Sequence, residues 1–123
     1  METATPTYMR IMQGIRRDIV SGALEPDQKM DSIKELAKKY EANPNTVQRA
    51  LARLEKEGLL RSNRTAGKYV TENKLLIKSI RYKEARKITD DFISNLERLG
   101  IQPSELVKLF SDPEFFKKNS EEH

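Results

Sequence analysis

Two helix-start signals follow one another closely between Ser32 and Gly58, and their spacing constrains the fold more than any other feature of the chain. Ser32-Ile33-Lys34-Glu35 is a capping box, in which the serine oxygen accepts a hydrogen bond from the Glu35 amide and the glutamate side chain reaches back to the serine amide. It predicts a short helix from about Ile33 to Tyr40 that buries Ile33, Leu36 and Ala37. Asn43 offers a second N-cap, with Pro44 at the first helical position, where its missing N–H has no partner to lose. Val47, Ala50, Leu51 and Leu54 make the buried stripe of this second helix, and Gly58 ends it. Two short helices joined by so tight a turn form a helix-turn-helix pair.

The flanks complete the layout. Tyr8, Ile11, Met12, Ile15 and Ile19 recur at spacings of three and four, which predicts a helix over residues 7–21 closed by Gly22. Met9, Met12 and Met30 read as core filler, and Pro26 as keeping the next segment extended. Leu60 to Ser62 and Lys68 to Thr71 read as two short strands around Asn63-Arg64-Thr65-Ala66-Gly67, a hairpin with a polar tip. The expected fold is therefore mainly α with a small β-hairpin, a winged helix-turn-helix over residues 1–71.

From Lys74 the pattern becomes one long helix, with Ile77, Ile80, Ala85, Ile88, Phe92, Leu96 and Leu99 on roughly one face until Gly100. Pro103 restarts a short helix carrying Leu106, Leu109 and Phe110, and Asp112-Pro113 starts another bearing Phe115 and Phe116. So much apolar surface needs a cover, and a two-fold partner is the simplest one. Residues 72–123 are accordingly expected to be a helical dimerisation region. Its contact set is Ile77, Ile80, Ile88, Phe92, Leu96, Leu99, Leu106, Leu109 and Phe110.

Composition removes several function classes. The 123-residue chain has no cysteine, and its single histidine, His123, is the last residue, so neither a metal site nor a cofactor is expected. No carboxylate pair stands with a nucleophile or a histidine, and an enzyme is not expected either. No apolar run approaches the ~18 residues that span a bilayer, and no basic start leads into an apolar stretch. The expectation is a cytoplasmic protein with no membrane partner. Residues 1–71 hold 13 Lys+Arg against 9 Asp+Glu, a net +4, whereas residues 72–123 hold 10 of each. A basic excess confined to the first part suits a polyanionic partner there.

In a helix-turn-helix the second helix enters the major groove with its N-terminal residues at the base edges. With the apolar stripe turned inward, Asn45, Thr46, Gln48, Arg49 and Arg53 face outward near the helix start. Asn and Gln pair bidentately with adenine, and Arg with guanine. Lys34, Lys38 and Lys39 on the preceding helix, and Arg61, Arg64 and Lys68 on the wing, are placed to meet phosphates on either side. Three alternatives stay open: a polar first turn that serves only as a cap, an adaptor that recruits a protein through the Phe110, Phe115 and Phe116 region, and an RNA-binding winged helix.

These residues resemble the GntR family of bacterial transcription regulators, in its short YtrA-type branch. The family's Leu-Pro-Ser-x-Arg-x-Leu-Ala pattern looks like Met30 to Ala37 here, and the likeness continues through Asn43 to Ala50, Leu54 to Leu59 and the wing end Gly67-Lys68-Tyr69-Val70. The resemblance implies that Lys34, Asn43, Asn45, Thr46, Gln48, Arg49 and Gly67 lie at the DNA, and with Ser32, Arg53, Arg64 and Lys68 they make up the expected DNA-binding set. Lys34 stands in for an arginine and lacks its bidentate fork. Asp31 replaces a proline, and Thr65 stands where the wing often has another glycine. The implied function is a homodimeric regulator, in the repressor sense, on a pseudo-palindromic double-stranded DNA operator. Residues 72–123 are too few to enclose a pocket of about 300–1,000 Å³, so any small-molecule effector is expected between subunits.

Overall fold

The computed structural model describes residues 6–63 and 67–117, so Arg64, Thr65 and His123 lie outside the described residues, as does the side chain of Phe116. Three helices come first: α1 (Thr7–Ser21), α2 (Ile33–Lys39) and α3 (Pro44–Lys56). Strands β1 (Leu60–Asn63) and β2 (Gly67–Val70) pair antiparallel, Leu60 opposite Val70 and Asn63 opposite Gly67. This hairpin sits one residue nearer its tip than the sequence pattern suggests. Thr71 lies just past the end of β2, and its N–H donates in the same register to the Leu59 carbonyl at 2.9 Å.

The two helix starts have the chemistry read for them. Ser32 Oγ accepts from the Glu35 amide at 3.1 Å, and Glu35 Oε1 accepts from the Ser32 amide at 2.8 Å. Asn43 Oδ1 accepts from the Asn45 amide at 2.8 Å, with Pro44 in the first turn. The stripe residues Ile11, Ile15 and Ile19 of α1 meet Val47, Ala50, Leu51 and Leu54 of α3, and Leu36, Leu59 and Val70 complete the same core. Burying one such side chain contributes about 1.5–3 kcal/mol, so this cluster dominates the fold.

Met9 is 38 % exposed, against the expectation of a core role, because it lies off the stripe that the other α1 residues share. Ile33 is half-buried, at the open end of α2. Pro26 and Asp27 form a turn, with Asp27 at φ 67°, and extended backbone begins only near Lys29, which bridges to Tyr69. Met30 N–H donates to the Lys68 carbonyl and Val70 N–H to the Gln28 carbonyl, both at 2.8 Å. The segment leading into α2 is thus stitched to the outer edge of β2, which fixes the wing beside the α2 start.

Helix α4 (Lys74–Arg98) begins where Asn73 Oδ1 accepts from the Leu76 amide at 3.1 Å. The chain divides into two compact units, one through Tyr82 and one from Lys83 onward. The first reaches past residue 71 because the opening turns of α4 belong to its core. Ile77 is 4 % exposed within that core, Ile80 packs against it, and Arg81 Nε donates to the Val20 carbonyl at 2.7 Å. Ile77 and Ile80, expected among the dimer contacts, are therefore committed inside the first unit.

The second unit contains the rest of α4, helix α5 (Pro103–Phe110) and a 3-10 turn at Pro113–Phe116. Leu106 is buried, and Phe92 stacks on Phe110 with ring centroids 6.1 Å apart and planes 9° from parallel. Phe115 tilts against Phe110 at 5.8 Å. Leu96 and Leu109 are half-buried, while Ile88 and Leu99 remain 70 % and 75 % exposed in the single chain.

Candidate nucleic-acid interface

The front of α3 sorts its residues by helical phase. Val47, Ala50, Leu51 and Leu54 point into the core, which leaves Asn45, Gln48, Arg49 and Arg53 exposed and Thr46 half-buried. Asn43 spends its side-chain oxygen on the cap and keeps its amide N–H groups. Among the described residues, the side chains of Asn45, Gln48 and Lys34 have no hydrogen-bond or ion-pair partner. Donors and acceptors thus stand ready at the helix start without internal commitments. Capping uses the Asn43 oxygen and does not draw on the side chains of Asn45 and Gln48.

Arg49 and Arg53 are ordered differently. Their guanidinium carbons lie 3.9 Å and 5.3 Å from the centroid of the Tyr8 ring, at the first turn of α1. The sequence pattern places Tyr8 on an apolar stripe and says nothing of this contact.

Three other cations of the first unit, Lys68, Arg61 and Arg16, are already paired. Lys68 Nζ donates to Glu55 Oε1 and, at 2.9 Å, to Ser62 Oγ, and the serine hydroxyl donates to the same carboxylate oxygen at 2.8 Å. These bonds hold the Glu55 carboxyl below the usual carboxylate range, Lys68 first and Ser62 second. Arg61 pairs with Asp27 and lies over the Tyr69 ring at 5.0 Å, with its Nε buried and lacking a hydrogen-bond partner. Arg16 grips Glu57 through both oxygens at 2.7 Å and 2.8 Å, tying α1 to the end of α3. Lys34 is therefore freer to meet a phosphate than Lys68 or Arg61.

A concavity of about 550 Å³ lies between the α2 start and the hairpin, and brings Ser32, Lys34, Gly67 and Lys68 onto one surface. Gly67 adopts φ +84°, the left-handed region that L side chains avoid, and a Cβ there would meet nothing within 4 Å. Backbone can consequently approach an external surface closely at this point. Arg64 falls outside the described residues. No group of three or more His, Cys, Asp or Glu that could hold a metal ion occurs among the described residues, and no described helix is long and apolar enough to cross a membrane.

Residues 7–70 match the family model described as bacterial regulatory proteins, gntR family. The chain is 39 % identical over 71 residues to the HTH-type transcriptional repressor YtrA of Bacillus subtilis (strain 168), across 58 % of this chain and 55 % of YtrA. A GntR family transcriptional regulator from Listeria monocytogenes superposes with a TM-score of 0.79 at 36 % identity, covering 90 % of this chain and 97 % of that one. The DNA-binding domain of AraR in complex with operator ORR3 superposes with a TM-score of 0.55 at 30 % identity, over 58 % of this chain and 86 % of that one.

Proposed function

The chain belongs to the gntR family of bacterial regulatory proteins and is a DNA-binding transcription regulator with a winged helix, not an enzyme; from that premise we propose that it is a homodimeric repressor whose two α3 helices read the half-sites of a pseudo-palindromic operator. The observation that carries this reading is the exposed, uncommitted start of α3. Asn45, Gln48 and Arg49 present bidentate chemistry for base edges, while Lys34 and the α2 start meet the backbone.

One such module buries only about 600–1,000 Å² against DNA. Two joined modules bind far more tightly, because the second contact becomes intramolecular. The exposed Ile88 and Leu99, with Phe92 and Phe110, supply an apolar face for the second copy. Any effector site is placed in that contact between subunits, in the cytoplasm where the operator is met.

The test is selection of duplexes from a random library, followed by fluorescence anisotropy at two salt concentrations with selected and scrambled sequences. Selected duplexes should bind at least ~100-fold more tightly, and both affinities should fall steeply with salt. Equal affinity for both duplexes would remove the proposal.

A further inference from the structure

Tyr8 is partly buried against the core, as an apolar stripe residue should be. Its ring face nevertheless carries the Arg49 guanidinium at 3.9 Å and the Arg53 guanidinium at 5.3 Å. A guanidinium lying on an aromatic face keeps its N–H donors at the edge of its plane, free for a ligand. The stack also removes much of the rotamer freedom that a long, exposed arginine would otherwise lose on binding. Arg49 and Arg53 are neighbours one turn apart on α3, so their like charges repel, and the electron-rich ring face offsets that repulsion.

We propose that Tyr8 is a positioning residue for base recognition: its ring orients Arg49 so that the guanidinium edge meets O6 and N7 of a guanine, and it holds Arg53 alongside for a phosphate. This rests on the reading of α3 as the element that enters the major groove. A loosened Arg49 still carries its charge and still attracts phosphate. Loss of the ring therefore reduces discrimination between sequences more than it reduces affinity for DNA in general. The aromatic face carries this role, so phenylalanine should replace tyrosine without loss.

The experiment compares the full chain with its Tyr8→Phe, Tyr8→Leu and Tyr8→Met variants on a duplex selected by the unmodified protein. Each guanine is replaced in turn by 7-deazaguanine, which removes the N7 acceptor. The unmodified protein and Tyr8→Phe should lose about tenfold at one guanine per half-site. Tyr8→Leu should lose about threefold or less there, with its affinity for a scrambled duplex within about twofold of the unmodified protein. Tyr8→Met, with comparable volume and no aromatic face, reads the same property if the leucine variant does not fold. A full 7-deazaguanine penalty in the leucine or methionine variant, or its loss in Tyr8→Phe, overturns the proposal. An unmodified protein that does not discriminate selected from scrambled duplexes overturns the reading of α3 itself, which is a separate result.

Discussion

Lys68 on β2 donates to Glu55 near the end of α3, so a cation of the wing is neutralised by the helix that the wing flanks. A carboxylate in this position competes with a DNA phosphate for the same ammonium group. The Glu55→Gln variant should therefore free Lys68, and affinity for random-sequence duplex should rise. Its dependence on salt should steepen by about 0.9 in the slope of log K against log salt, the value for one additional phosphate contact. Anisotropy titrations at several salt concentrations measure this directly. An unchanged slope would show that Lys68 does not reach the backbone.

The same pair predicts a pH effect on folding. The Lys68 and Ser62 hydrogen bonds lower the Glu55 pKa in the folded chain from the ordinary value of 4.5. The folded state thus binds the proton less readily than the unfolded state, and the stabilisation is present above that ordinary value. It is lost as the pH falls through 4.5 toward the lowered value. Glu35 acts in the same direction through the Ser32 backbone and hydroxyl. Thermal melts below pH 4.5 should show Tm falling less steeply for Glu55→Gln than for the unmodified chain. Parallel curves would assign the acid limb to other groups.

Capping and recognition separate at the front of α3. Asn43 holds the cap, so Asn43→Ala should cost about 1 kcal/mol of stability. Asn45 and Gln48 are exposed, and among the described residues their side chains have no partner. Their alanine variants should melt within about 0.5 kcal/mol of the unmodified protein, yet lose preference for the selected duplex. Stability and discrimination falling together at Gln48 would mean that this residue supports the fold instead.

What could be read from the residues follows from the range of the forces involved. Helix starts, stripes and the hairpin depend on neighbours within a turn or two, so Ser32, Asn43, Pro44 and the Val47 to Leu54 stripe were legible. The pairings of Lys68 with Glu55 and Arg61 with Asp27 were not, since they join segments brought together only by the core. Tyr8 shows the same limit: its spacing gives the buried edge of the ring, but the arginines on its face come from a different helix. Ile77 was read correctly as apolar and assigned to the wrong task, because periodicity does not say which surface a stripe meets.

At the wing, Gly67 has φ +84° with open space where a Cβ would stand. The cost of Gly67→Ala is then backbone strain alone, about 1 kcal/mol. A domain of this size should lose about 4–8 °C in Tm. Gly67→Asn should lose less, since asparagine tolerates the left-handed region. Differential scanning calorimetry of both variants checks the order, and equal losses would point away from φ as the cause.

The dimer can be tested at a residue the single chain does not need. Ile88 is 70 % exposed, so a charge there leaves the folded subunit intact and places an unpaired carboxylate in any apolar contact between copies. Phe92 is a poorer choice, because its stack on Phe110 contributes to the second unit itself. Ile88→Glu should shift sedimentation from dimer to monomer at micromolar concentration, with unchanged melting of the winged helix. Losing the linked second module should weaken operator binding by about 10²-fold. A dimer that survives Ile88→Glu would relocate the contact away from this face of α4, and a monomeric unmodified chain would remove the two-fold model.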